Sequence, residues 1–215
     1  GQSQDQPQDW NGSILYPMNS QLPDWLSLSG QYRIRAEGYT GGSYQPYNDQ
    51  GYALSRLQVN LNARISWFRV FAQMEDSRVL GNDAIPDAFP YQDSADLRQA
   101  FVELGDVDKG HFGVRAGRQE LIFGDQRIIG VSDWVNTPRS FDAVRATMNY
   151  GKLRVDAFIS SVVNPVDNHF DHSKAGEDLH GLYGTIGKVL PGATIEPYFL
   201  WRLGGGLKTE EGAPA

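Results

Sequence analysis

Arg56–Trp67 reads RLQVNLNARISW, and this stretch decides the fold class. Leu57, Val59, Leu61, Ala63, Ile65 and Trp67 fall on one parity, and Arg56, Gln58, Asn60, Asn62 and Arg64 on the other. Side chains alternate across a strand, so this strand has one apolar face and one wet face. A strand of a soluble sandwich keeps such a pattern for about 5 or 6 residues. Here it persists from Arg56 to Trp67, closer to the roughly 9–11 tilted residues that cross a bilayer, plus an overhang.

Upstream the same rhythm occupies Leu26–Glu37. Leu26, Leu28, Gly30, Tyr32, Ile34 and Ala36 share one face; Ser27, Ser29, Gln31, Arg33, Arg35 and Glu37 share the other. Downstream, residues 68–75 set Phe68, Val70, Ala72 and Met74 against Arg69, Gln73 and Glu75. Residues 97–105 set Ala100, Val102 and Leu104 against Gln99 and Glu103. The series continues through 111–123, 141–150 and 152–163, where Leu153, Val155, Ala157, Ile159 and Ser161 oppose Arg154, Asp156 and Ser160. Residues 179–189 and 194–203 alternate more weakly and their faces stay unassigned.

The links between these segments alternate in length. Short ones fall at Ser66–Trp67, Gly105–Gly110, Tyr150–Gly151 and Leu190–Ala193; long ones span 40–51, 77–95, 124–140 and 164–178. Tight turns at one end and extended loops at the other are the pattern of an outer-membrane barrel. The reading is an all-β antiparallel transmembrane meander of about nine strands, with lipid against the apolar faces. Residues 1–25 are expected to be an extended N-terminal lead-in, 26–203 the barrel strands, and 204–215 a truncated outer loop. A soluble up-and-down barrel is the alternative. Gly30, Ala36, Ala63 and Ala116 on the apolar faces would fill its core poorly.

Composition agrees. Only 40% of the 215 residues are hydrophobic and mean hydropathy is −0.45, yet aromatics make up 12%. Half of every strand facing water explains the polarity, and a disordered chain would not carry the aromatics. No stretch approaches the about 18 apolar residues of a transmembrane helix. Cysteine is absent, which excludes a disulfide scaffold and thiolate metal ligands. The net charge of −7 disfavours a nucleic-acid partner.

Over Leu97–Arg145 the chain resembles the alginate-export family of outer-membrane barrels. The resemblance is carried by RQAFVELGD at 98–106, FGVRAGRQELIFGDQRIIG at 112–130 and DWVNTPRSFDAVRA at 133–146. It implies a barrel of about 18 strands in the bacterial outer membrane, of which about nine strands would be the N-terminal half. It further implies a positively charged pore, an anionic polysaccharide such as alginate or another uronate polymer as solute, and periplasmic export partners. Ending at Ala215 rather than on an aromatic-terminated strand, the chain is expected to lack the C-terminal half.

A channel selects by fixed charge at a constriction. The wet faces offer Arg33, Arg35, Arg56, Arg64, Arg69, Arg115, Arg145 and Arg154, interleaved with Glu37, Glu75, Glu103 and Asp156. A guanidinium suits a carboxylate solute because its planar fork donates two hydrogen bonds and stays charged. Against this stands the plain alternative that these arginines and acids pair and only hold the wall.

Arg98 and Arg118 fall on the apolar parity of their strands. Leu121 and Phe123 have the opposite parity to Val114 and Ala116, which predicts a bulge around Gly117–Gln119. That bulge would turn Arg118 inward beside Arg98, with Glu120 and Asp125 sharing the charge. The resemblance likewise implies that both arginines face the pore. Gly124–Ser140 is too apolar for a plain outer loop; it is expected to fold into the lumen, making Asp125, Arg127, Asp133 and Arg139 gate candidates.

An enzyme is not expected. There is no Gly-x-Ser-x-Gly elbow, and Ser132 does not form one. His111 and His180 stand apart from His169 and His172, which with Asp167 and Asp171 make at most a weak metal cluster. No cofactor and no resident metal are expected. The alternative function is a general-diffusion or small-solute porin, which would share every physical feature above.

Overall fold

The computed structural model describes residues 16–41, 49–81, 85–190 and 193–204. Its strands are β1 Leu26–Tyr39, β2 Gln50–Ile65, β3 Phe68–Leu80, β4 Asp93–Gly105, β5 Phe112–Gln119, β6 Phe141–Tyr150, β7 Leu153–Asn164, β8 His172–Leu190, β9 Ala193–Ile195 and β10 Tyr198–Gly204. All belong to one antiparallel sheet in which every strand lies beside its sequence neighbours, with β9 and β10 both on β8. β9 and β10 are one position of the meander interrupted at Glu196–Pro197, where proline has no N–H for the ladder. The Pro197 carbonyl still accepts from Gly184 N at 2.8 Å. The expected antiparallel meander is therefore present, and the sheet is open: among the described residues β1 and β10 are its two edges.

Several boundaries moved; β2 begins at Gln50, and β5 ends at Gln119 rather than at 123. β3 runs on to Leu80 and β4 begins at Asp93, which shortens the second long connection. β8 begins at His172, well before the weak alternation at 179. Within the lead-in a short helix, α1 Tyr16–Asn19, packs on β1 through Asn19, whose amide exchanges two 2.8 Å hydrogen bonds with the Leu28 backbone. Residues 1–15 and 205–215, and with them most of the lead-in and the expected terminal loop, lie outside the described residues.

Burial is inverted relative to a soluble sheet. Ile34 is 63% exposed and Leu61 46%, whereas Arg56 is 2% and Glu103 0% exposed. The apolar parity of β1 to β7 forms an open outer face, including Tyr32, Leu57, Val70, Met74, Val102, Val144 and Ile159. The polar parity forms the covered inner face. Exposing this much apolar surface to water would be unfavourable at roughly 25 cal/mol per Å², so the outer face calls for an apolar surrounding. At the short-turn end, exposed Trp67, Phe68, Phe112 and Tyr150 form the kind of aromatic girdle that marks a membrane interface.

Two tight turns at that end use left-handed backbone. Ser66 has φ +53° and Gly151 has φ +60°. Gly105, at φ +77°, enters the β4–β5 turn, where Asp106 caps the backbone N–H groups of Asp108 and Lys109 at 3.0 and 2.9 Å.

Candidate functional site

Register gathers the inner-face arginines into rows. Across β2 to β6, Arg64 faces Arg69, Arg69 faces Glu103, Glu103 faces Arg115, and Arg115 faces Arg145. Like charges directly opposite each other are unfavourable, so this level needs acids, and Glu103 is the one in the row. It takes Arg115 Nε at 2.6 Å and Arg64 Nη2 at 3.0 Å. Others reach in from adjacent levels. Asp156 holds Arg145 at 2.9 Å and Arg154 at 2.7 Å, and Asp108 of the β4–β5 turn holds Arg115 at 2.7 Å. Burial works to raise the Asp108 carboxyl, but the Arg115 guanidinium beside it prevails and holds it below its ordinary value.

A second group lies toward the long-loop end. Arg33 faces Arg56 across β1 and β2, and Arg35 follows on β1. The segment between β5 and β6 runs under them. Arg33 donates to the carbonyls of Asp133 and Val135 at 2.9 and 3.0 Å, and Arg35 donates to the Trp134 carbonyl while its guanidinium lies 4.3 Å over the Trp134 ring. Arg56 pairs with the Asp133 carboxylate at 2.8 Å, and Arg35 with Glu37. Next in the chain, Asn136 is fixed to the Ser55 and Tyr91 carbonyls at 3.0 and 2.9 Å, and Ser77 donates to its carbonyl at 2.7 Å.

The other end of the segment is apolar. Leu121, Phe123 and Ile129 are buried against Phe141 and Ala143 of β6, Phe158 of β7 and Tyr183 of β8. Phe123 stacks on Phe158 and Tyr183 with ring centroids 5.2 and 4.8 Å apart, and Arg145 lies 5.1 Å from its ring. Residues 121–136 thus cross the inner face from β8 to β1. Of the gate candidates, Asp133 touches Arg56. Asp125 and Arg127 pair with each other at 3.3 Å, 80% and 84% exposed at their side chains, and Arg139 is exposed.

The register argument around Gly117 needs correction. β5 pairs with β6 without a shift from Phe112 to Gln119, so no bulge lies there, although Gly117 itself has φ +122°. Leu121 and Phe123 keep the parity of Arg115 and Gln119 and point to the inner face because the segment they begin is buried there. The irregularity is on β4 instead. Gln73 faces Gln99 and Met74 faces Leu97, so Arg98 is the extra residue. The bulge turns Arg98 to the inner side, where it is buried, bonds Gln73 at 2.5 Å, lies 3.4 Å from Glu75 and pairs with Glu120.

Arg118 stays on the parity of Val114 and Ala116. Pairing between β4 and β5 ends at Ala100–Arg118, leaving the outer part of β4 without a β5 partner. Arg118 sits in that notch, donating to the Leu97 carbonyl at 3.2 Å and the Asp171 carbonyl at 2.9 Å, and pairing with Asp142 at 2.9 Å. Neither Arg98 nor Asp125 is among its partners.

Two inner-face aromatics escaped the sequence reading. Phe71 and Phe101 stack at 5.1 Å, with Arg69 5.2 and 5.5 Å from their rings and Arg115 4.2 Å from Phe101. Both stand on the polar parity of their strands, and that misfit was the available signal.

The family model described as alginate export matches residues 24–208 of this chain. No curated protein matches it.

Proposed function

The chain belongs to the alginate-export family, a transport family of the outer membrane, and from that premise we propose that its inner face forms one side of an arginine-lined channel for an anionic polysaccharide. The reading is carried by the register row Arg64, Arg69, Arg115 and Arg145, four guanidiniums on one level with Glu103. A wall needing only internal pairing would match charges one to one. Here Arg145 and Arg154 share Asp156, and Arg64 and Arg115 share Glu103 with Asp106 and Asp108 beside them, so that with Arg69 five guanidiniums meet four carboxylates. Shared carboxylates leave donors and positive potential for a passing uronate, whose carboxylate a guanidinium fork binds bidentately. Arginines in a series let each release the solute to the next, which conduction requires.

In this reading residues 121–136 form the constriction and Arg33, Arg35 and Arg56 set the charge beside it. Arg98 and Arg118 tension the wall around it through Glu120 and Asp142. The outer face meets lipid, and the solute arrives from periplasmic partners.

The test is planar-bilayer recording on the whole protein in a salt gradient, with and without a uronate oligomer. Anion preference and oligomer block are expected, despite the acidic net charge. Replacing Arg69 and Arg145 together by Gln should weaken block by about tenfold, one charge-assisted hydrogen bond being worth about 1.5–3 kcal/mol. Cation preference in the wild type, or block by a neutral oligosaccharide of the same size, would overturn the reading in favour of a general porin.

A further inference from the structure

At the long-loop end of the sheet, Asp93 and Asp96 of β4 meet Asp171, the residue before β8. One carboxylate oxygen of each lies within 4.8 Å of the other two. Asp96 is 2% exposed and Asp93 8%. Asp93 Oδ1 and both oxygens of Asp96 are buried without a hydrogen-bond partner. Asp171 uses one oxygen to accept from Val166 N at 2.8 Å. Among the described residues the cation that reaches the group is Arg118, 3.6 Å from Asp96, and its fork is already taken by Asp142.

Burying a carboxylate without hydrogen bonds is costly, and placing three together is more so. Other acids nearby are spoken for. Glu75, opposite Asp96 in the register, pairs with Arg98, and Asp167 on the β7–β8 connection accepts from Gln92 Nε2 and Ser94 N, each at 3.0 Å. We propose that Asp93, Asp96 and Asp171 form a calcium site that clasps the β7–β8 connection onto the outer end of β4.

The chemistry favours a hard divalent ion with oxygen ligands. Two oxygens bound to one Ca²⁺ at about 2.4 Å stand at most about 4.8 Å apart, which the triad satisfies. Mg²⁺ holds its waters and is bound through one or two carboxylates, whereas Ca²⁺ takes more ligands in a looser geometry. The position also explains the need. β5 has 8 residues and β4 has 13, so β4 outside Ala100 lacks a strand on that side. The β7–β8 connection reaches across this gap to Ser94 and Arg118, and an ion bridging Asp171 to Asp93 and Asp96 would fasten it there.

The whole protein in detergent, stripped with a chelator and titrated with CaCl₂ at pH 7.5 and fixed ionic strength, should show one saturable site by calorimetry. Magnesium should bind at least tenfold more weakly. Asp96→Asn and Asp171→Asn should each weaken calcium binding at least tenfold, while Asp167→Asn should leave it within about twofold. Heat-modified electrophoretic mobility checks that each variant has formed its barrel. Should Asp96→Asn fail to form one, the loop variant Asp171→Asn carries the test, together with calcium-dependent protection of the β7–β8 connection from protease. Absence of saturable binding in the wild type, or calcium binding unchanged in both Asp96→Asn and Asp171→Asn, overturns the proposal and leaves protons to neutralise the triad. Equal loss in Asp167→Asn overturns the ligand assignment.

Discussion

The two ends of the segment that crosses the inner face are held by opposite chemistry. Leu121, Phe123 and Ile129 are held against the sheet by apolar contact and ring stacking with Phe141, Phe158 and Tyr183. Asp133, Trp134 and Val135 are held through carbonyls and a carboxylate by guanidiniums from β1 and β2. Dispersion and apolar burial act through many small contacts and yield slowly, whereas a charged hydrogen bond at a wet boundary exchanges with water or a competing anion. In the proposed channel the apolar end would be an anchor, and the arginine end a latch that another carboxylate could compete for.

The largest expected effect breaks the anchor. Phe123→Ala should cost about 3–5 kcal/mol, as other Phe-to-Ala changes in packed clusters do, read as the denaturant midpoint of the protein refolded in micelles. A cost below that of the latch variants would reverse the comparison. Next comes Asn136→Ala, which deletes donors to the Ser55 and Tyr91 carbonyls. About 1–3 kcal/mol is expected for leaving such buried acceptors unmet, with conductance still near the wild-type level because the anchor persists.

Arg56→Ala should act on function more than on stability. Asp133 is 69% exposed at its side chain, so the ion pair itself is worth about 1 kcal/mol or less, and the rest of the cost is the lost packing of Arg56, which is 2% exposed. Its loss should nevertheless raise flickering between conductance levels, and raising the salt in the wild type should do the same, since exposed charges are screened within about 10 Å at 0.1 M. Unaltered gating noise in Arg56→Ala would remove the latch from the account. The smallest effect is expected from Arg127→Ala. Its partner Asp125 and Arg127 itself are 80% and 84% exposed, so neither midpoint nor noise should change measurably.

The strands were legible because alternation is a local signal. Along Arg33–Glu37, Arg56–Asn62 and Gln73–Glu75 the polar parity predicts the more covered face residue by residue, while Gln31 is exposed and Ser55 buried against their parity. The crossing segment was legible in composition but not in path. Leu121 and Phe123 broke the parity of β5, and the break was assigned to the backbone when its cause was a second apolar cluster inside the sheet. Arg98 carried the same kind of break, an arginine among Ala100 and Val102, and there the cause was the backbone. Parity alone does not separate the two cases, because a bulge and an inner apolar cluster invert the pattern alike. The arginine rows were out of reach altogether: they depend on register between strands, which no single strand encodes.

The inverted burial of the sheet sets how this sequence can drift. On the outer face Ile34, Leu57, Met74 and Ile159 are exposed, and in the proposed membrane setting they would meet a fluid surrounding, which reads their apolarity and not their shape. Valine, leucine, isoleucine and methionine are nearly interchangeable there, so those columns should wander among relatives while staying greasy. The inner level has no such latitude. Exchanging Glu103 for a neutral residue takes the 3.0 Å partner from Arg64 and leaves Arg115 with Asp108 alone, so these positions should change in company or stand still.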